Sequence, residues 1–218
     1  QALARHRLLP RGSLRTSNPL GALYAILALL VVAITCTEIF VPLFLQDLHG
    51  RPPLQAGYIA ALMSVGWTTG SLLSAGLVGR RRQQVLVASP LAVLLATAAL
   101  AVLMPHRGDA ASLLWTLGVV LIVGGLGVGI AFPHLSTRVL EVAPEDEAEL
   151  AGSSIMTVQL CATAFGAAMA GLIVNLAGQP ALDGTGMDSA AASRWLFGIF
   201  ALAPALCAWV VWQRRHTL

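Results

Sequence analysis

The chain has 218 residues and a net charge of +3, with 57% of residues hydrophobic and only 11% charged. Soluble domains carry roughly a quarter of charged residues, so this composition, with its mean hydropathy of +0.79, excludes an ordinary soluble domain. A nucleic-acid-binding fold is excluded too, because the basic residues flank apolar blocks and form no basic face. A bilayer core about 30 Å thick takes roughly 20 residues of apolar helix. Six blocks of that size are present, at about 20–46, 53–79, 84–104, 112–134, 150–177 and 195–213.

Residues 1–19 form an arginine-rich lead-in broken by Pro10, Gly12 and Pro19. The first span ends near Gln46, and Pro52 and Pro53 suit the first turn of the second. The second span runs to Gly79 and the short loop Arg80-Arg81-Arg82, and the third carries Ser89-Pro90 where a kink is expected. Pro105 to Asp109 turns into a glycine-rich fourth span holding Gly118, Gly124, Gly125, Gly127, Gly129 and Pro133. The fifth opens at Pro144-Glu145-Asp146-Glu147, whose proline and acids complement a helix start without any functional role. Residues 178–193 read as a polar loop. Trp195 at one end of the sixth span, and Trp209 and Trp212 at the other, match interfacial aromatic belts. Residues 214–218 are left as a short tail.

All thirteen basic residues are arginine. Arg5, Arg7, Arg11, Arg15, Arg80, Arg81, Arg82, Arg138, Arg214 and Arg215 fall on one side of the six spans; Arg51, Arg107 and Arg194 fall on the other. The positive-inside rule then puts both termini in the cytoplasm, which requires an even number of spans. The chain starts at Gln1 without a signal peptide, and its first residues read like the end of an internal loop. That points to a fragment of a longer protein.

Small residues let membrane helices approach closely. Gly66, Gly70 and Ser74 form such a row on the second span, and Gly125 and Gly129 on the fourth. Gly152, Met156, Gln159, Thr163, Gly166 and Ala170 share one face of the fifth. Cys36, Cys161 and Cys207 lie within spans, without metal-binding or disulfide spacing, and read as small hydrophobes.

Glu38 is the one acidic residue well inside a span. At 1.5 Å per residue it sits about 7 Å from the centre of the first span, where a carboxylate costs on the order of 3 kcal/mol. It must therefore face a cavity, find a partner or keep its proton. Thr35, Pro42 and Gln46 share its face at helical spacing. Two readings follow: a proton-coupling or substrate-contacting carboxyl, or a structural one bonded to a neighbouring helix. His134, at the inner end of the fourth span, can relay protons or sit among the headgroups. Gln159, deep in the fifth span, can line a cavity or bond another helix. Trp67, midway along the second, can stack on a substrate or pack against the bundle. No P-loop, HExxH, paired Cys-x-x-Cys or Ser/His/Asp pattern is present, so neither enzyme chemistry nor a cofactor or metal is expected.

The run Val41-Pro42-Leu43-Phe44-Leu45-Gln46, followed after the turn by Leu54-Gln55-Ala56-Gly57, resembles the passage from the seventh to the eighth helix of major facilitator superfamily transporters. Gly76 to Arg82 is similar to the family's glycine-and-arginine loop between helices eight and nine, with Gly76, Arg80, Arg81 and Arg82 as its signature, but it lacks the usual acidic residue after the glycine. The fourth span and Glu149-Leu150-Ala151-Gly152-Ser153-Ser154 resemble helix ten and the start of helix eleven. The resemblance covers nearly the whole chain and is closest to the drug:proton antiporter-like branch.

It implies an all-α membrane protein whose six helices form one bundle of two inverted three-helix repeats. The implied function is proton-coupled export of small molecules or drugs by alternating access. The implied partners are the lipid bilayer, protons, a small-molecule substrate and a missing N-terminal six-helix half, in the inner (plasma) membrane. The competing expectations are a non-transporting scaffold or subunit, and the membrane subunit of an ATP-driven transporter, for whose coupling helix the short inner loops leave little room.

Overall fold

A computed structural model describes residues 9–10, 13, 18–106, 111–179 and 188–214. The cations Arg5, Arg7, Arg11, Arg15, Arg107 and Arg215 lie outside the described residues, as does most of the lead-in and the tail. The described residues form α1 (Pro19–Asp47), α2 (Pro53–Ser74), α3 (Gly79–Leu103), α4 (Ala111–Val142), α5 (Ala148–Ala177), α6 (Ser189–Phe200) and α7 (Leu202–Arg214). A 3-10 turn, Glu145–Glu147, leads into α5.

Local chemistry sets several of these limits. The Asn18 side chain accepts from the Leu20 N–H at 3.2 Å, with Pro19 at the first helical position of α1. Pro53 opens α2 in the same way. Asp188 caps α6 by accepting from the N–H groups of Ala190 and Ala191, so the last span starts at Ser189 and residues 189–193, expected as loop, are helical. This span is broken at Ala201: Pro204 has no N–H to offer the Phe200 carbonyl, and its ring crowds that position. A second correction concerns the arginine cluster. Gly79 takes a left-handed φ of 58° and closes the turn after α2, so Arg80, Arg81 and Arg82 form the first turn of α3 and not a loop.

Among the described residues, five segments are long and apolar enough to cross a membrane: Pro19–Asp47, Gly79–Leu103, Ala111–Val142, Glu145–Ala177 and Ser189–Arg214. α2, at 22 residues, has the length for a crossing but carries Gln55, Ser64, Thr68, Thr69, Ser71 and Ser74 and has no stretch as apolar as those five segments.

α2 packs along α4 and α1 along α5; α3 and α6–α7 complete the two groups, α3 against α4 and α6–α7 against α1. The α2–α4 contact is backbone against backbone. A Cβ added at Gly125 would land on the Met63 carbonyl oxygen, one at Gly129 on that of Trp67, and one at Gly66 on that of Ile122. The Ser71 hydroxyl donates to the Gly129 carbonyl at 3.0 Å, and Ser74 reaches that of Ile130 at 3.4 Å. Across α3 and α4, Ser89 Oγ donates to the Gly127 carbonyl at 2.6 Å. α1 is enclosed by the other helices, with Leu27 and Leu30 fully buried, and Tyr24 Oη donates to the Ala151 carbonyl of α5 at 2.9 Å. Cys36 and Cys207 are fully buried, as expected of small hydrophobes, whereas Cys161 is exposed. On α5, Gly166 and Ala170 are buried but Met156 and Thr163 are exposed, so the face assigned to close packing is only partly covered.

The outer surface divides by polarity. Every exposed residue of α3 from Ala88 to Val102 is apolar, as is every exposed residue of α6–α7 from Trp195 to Trp212. Elsewhere the exposed set includes Glu38 on α1, Ser64, Thr68 and Thr69 on α2, and Thr163 and Asn175 on α5.

Candidate functional site

The polar side holds an open groove of about 260 Å3 between α1 and α2, lined by Glu38, Met63, Ser64, Trp67 and Thr68. Ser64 and Thr68 are four apart and flank Trp67, so one helical face presents a hydroxyl, an indole and a hydroxyl to the carboxyl of Glu38. The indole is held from behind by Phe132 of α4, with ring centroids 5.7 Å apart and planes tilted by 41°. Its backbone position is set by Gly125 and Gly129, which admit the α2 chain at Trp67. Glu38 is exposed in this groove and, among the described residues, has neither an ion-pair nor a hydrogen-bond partner. A carboxyl beside an aromatic face in a groove suits a cationic or protonated guest, through charge and cation–π attraction together.

Thr35 does not share this groove. Three residues before Glu38, it is turned about 60° around α1, buried against Gly166 of α5, and its hydroxyl donates to the Val31 carbonyl. Gln159 is half-buried on α5, two turns and about 10 Å before Gly166. The expected stripe is therefore split, Glu38 toward α2 and Thr35 toward α5. Gln46 bonds back to the Pro42 carbonyl at 3.0 Å.

His134 stands apart, at the arginine-rich end. It is buried at 7% exposure, its carbonyl accepts from Arg82 at 3.4 Å, and its Nε2 has no hydrogen-bond partner. Arg82 also reaches Glu141 at 3.3 Å, and Arg138 reaches the same carboxylate at 2.9 Å. Three cations in the first turn of α3 oppose the helix dipole, and Glu141 offsets one of them. Gly76, Arg80 and Arg81 are exposed; only Arg82 turns inward. Because Glu141 is 40% exposed, the coupling between Arg82 and Glu141 should be small. A double-mutant cycle of Arg82→Gln and Glu141→Gln, read by thermal unfolding, is expected to give about 0.5 kcal/mol, shrinking as salt is raised.

A family model described as the Major Facilitator Superfamily matches residues 2–167. The chain belongs to the Major Facilitator Superfamily. It is a multi-pass membrane protein. Relatives from two strains of Mycobacterium tuberculosis, each named a probable multidrug-efflux transporter, are 35% identical to it over 205 residues. The match takes in 92% of this chain but 41% of each relative, so the chain spans about two fifths of their length. In this major facilitator chain the sequence marked Glu38 and Trp67 separately, and their convergence depends on the pairing of α1 with α2. Ser64 and Thr68 join them, and the one signal of this in the sequence is their spacing about Trp67.

Proposed function

We propose that this chain is the C-terminal half of a proton-coupled exporter of small lipophilic cations, with Glu38 as the group that exchanges proton and substrate. The observation that carries the reading is the unpartnered Glu38 carboxyl facing Trp67 in an open groove. A carboxyl that can hold either a proton or a cation, but not both, couples the two flows in opposite directions. The names of the relatives point to the same class of activity.

In this reading α1, α2, α3, α4, α5 and the broken α6–α7 are six spans in two inverted three-helix repeats. The packing supports it: exchanging α1, α2 and α3 with α4, α5 and α6–α7 turns the α2–α4 pair into α5–α1, and the α3–α4 pair into α6–α7 with α1. The polar side of α1, α2 and α5 faces an N-terminal six-helix half, and rocking of the halves alternates access to a site between them. Both termini lie in the cytoplasm and the protein sits in the plasma membrane.

The test is efflux of a panel of cationic dyes from cells expressing the protein that carries this chain, with the proton gradient intact and then collapsed by an ionophore. Efflux that stops with the gradient is expected. Efflux that persists while ATP remains, and stops when ATP is depleted, would favour an ATP-driven carrier. No efflux of any dye in either condition would remove the drug-export reading.

A further inference from the structure

On the apolar side, α3 and α6 part to leave a groove of about 590 Å3 whose lining includes Val102, His106, Arg194, Trp195, Gly198 and Leu202. It lies at the arginine-poor end, and its lining is apolar apart from His106 and Arg194, both exposed. Arg194 and Trp195 are exposed there, Trp195 at 60%. Tryptophan at such a place marks the headgroup level of a bilayer. Arginine is otherwise scarce at this end, where Arg51 is the other described example. The acid nearest Arg194 in the sequence, Asp188, is engaged in capping α6, and Asp109, three residues after His106, lies outside the described residues. The mouth therefore presents a guanidinium and an imidazole without an opposing carboxylate among the groove's lining residues.

We infer that this groove is a binding site for an anionic phospholipid of the leaflet at the arginine-poor end. Its phosphate is held by Arg194 and His106, and one acyl chain lies over Gly198 between Val102 and Leu202. Charge complementarity selects the headgroup. The apolar exposed surface of α3 from Ala88 to Val102 and of α6–α7 from Trp195 to Trp212 selects a lipid over a water-soluble ligand. The space over Gly198 is open, since a Cβ there would meet nothing within 4 Å. The inference rests on membrane insertion alone and stands whether or not the chain transports drugs.

Native mass spectrometry of the protein that carries this chain, from micelles holding equal phosphatidylglycerol and phosphatidylcholine, tests it. Preferential retention of phosphatidylglycerol is expected, weakened about fivefold by Arg194→Gln, the loss of one basic contact at a lipid surface. Gly198→Leu puts a side chain into the open space over position 198 and should displace the lipid while the circular dichroism spectrum and melting temperature are kept. Equal retention of the two lipids by the unmodified protein overturns the site. So does undiminished phosphatidylglycerol retention in both folded variants, or a photoreactive side chain at position 198 that crosslinks to protein instead of lipid.

Discussion

Cells expressing the Glu38→Gln variant are expected to lose gradient-driven dye efflux by about tenfold or more, with the protein present at its normal level. Glutamine keeps the shape and the hydrogen-bonding reach of the carboxyl but cannot take up or release a proton, so a coupled exchange has no step left to run through it. Tenfold corresponds to about 1.4 kcal/mol at the barrier, a small demand on a group that supplies both the charge for the guest and the proton for the return. The neighbourhood of Glu38 makes the experiment clean. Because no described donor is bonded to this carboxyl, replacing it leaves no buried donor stranded, and stability should change little. Were Glu38 a structural carboxyl, the same replacement would trade its charge-assisted bonds to a neighbouring helix for weaker ones, lower the melting temperature and leave the efflux of the surviving molecules intact. Trp67→Leu gives the second arm: weaker apparent affinity for cationic dyes, with the gradient dependence kept, because the indole attracts the guest but carries no proton. Unchanged efflux by Glu38→Gln at normal expression removes Glu38 from the coupling path.

The apolar blocks are legible because a bilayer imposes one length and one composition on a spanning helix, and five of the six blocks recur as helices with the required apolarity. The ends of helices are less so. α4 runs on to Val142, well past Pro133, because nothing in Ser136 to Val142 stops a helix and Arg138 and Glu141 pair along it at 2.9 Å. α6 begins early because Asp188 caps it. The small residues of the second and fourth spans were visible as contact surfaces, but which helix each would meet is a property of the bundle: a row of glycines names no partner. The candidate site shows the same limit. Glu38 stands out by its cost in lipid, yet Thr35, on the same face by spacing, is turned to α5 by a 60° offset that helical periodicity tolerates and a groove does not.

Gly129→Ala is expected to destabilise the protein by about 1–3 kcal/mol, the larger part of it from the displacement of α2. The sign is not obvious from the helix alone, since alanine is favoured over glycine in a helix interior by about 1 kcal/mol. Packing decides it. The added Cβ would fall on the Trp67 carbonyl, with the carbonyl carbon at 2.8 Å and Cα at 2.9 Å, and these are backbone atoms that cannot rotate away as the tip of a side chain can. The helices must separate, and the Ser71 bond to the Gly129 carbonyl stretches with them. Gly125→Ala meets Met63 and Trp67 in the same way, so the two replacements together should cost less than their sum, because one separation of α2 from α4 relieves both. Gly198→Ala is the internal standard: with open space about its Cβ, it should melt at or slightly above the unmodified protein. The consequence reaches the site as well. Moving α2 outward carries Trp67 off Phe132 and away from Glu38, so a Gly129→Ala protein that still folds should bind dyes more weakly. If Gly129→Ala and Gly198→Ala melt alike in micelles, α2 and α4 do not meet backbone to backbone, and the placement of Trp67 opposite Glu38 loses its support.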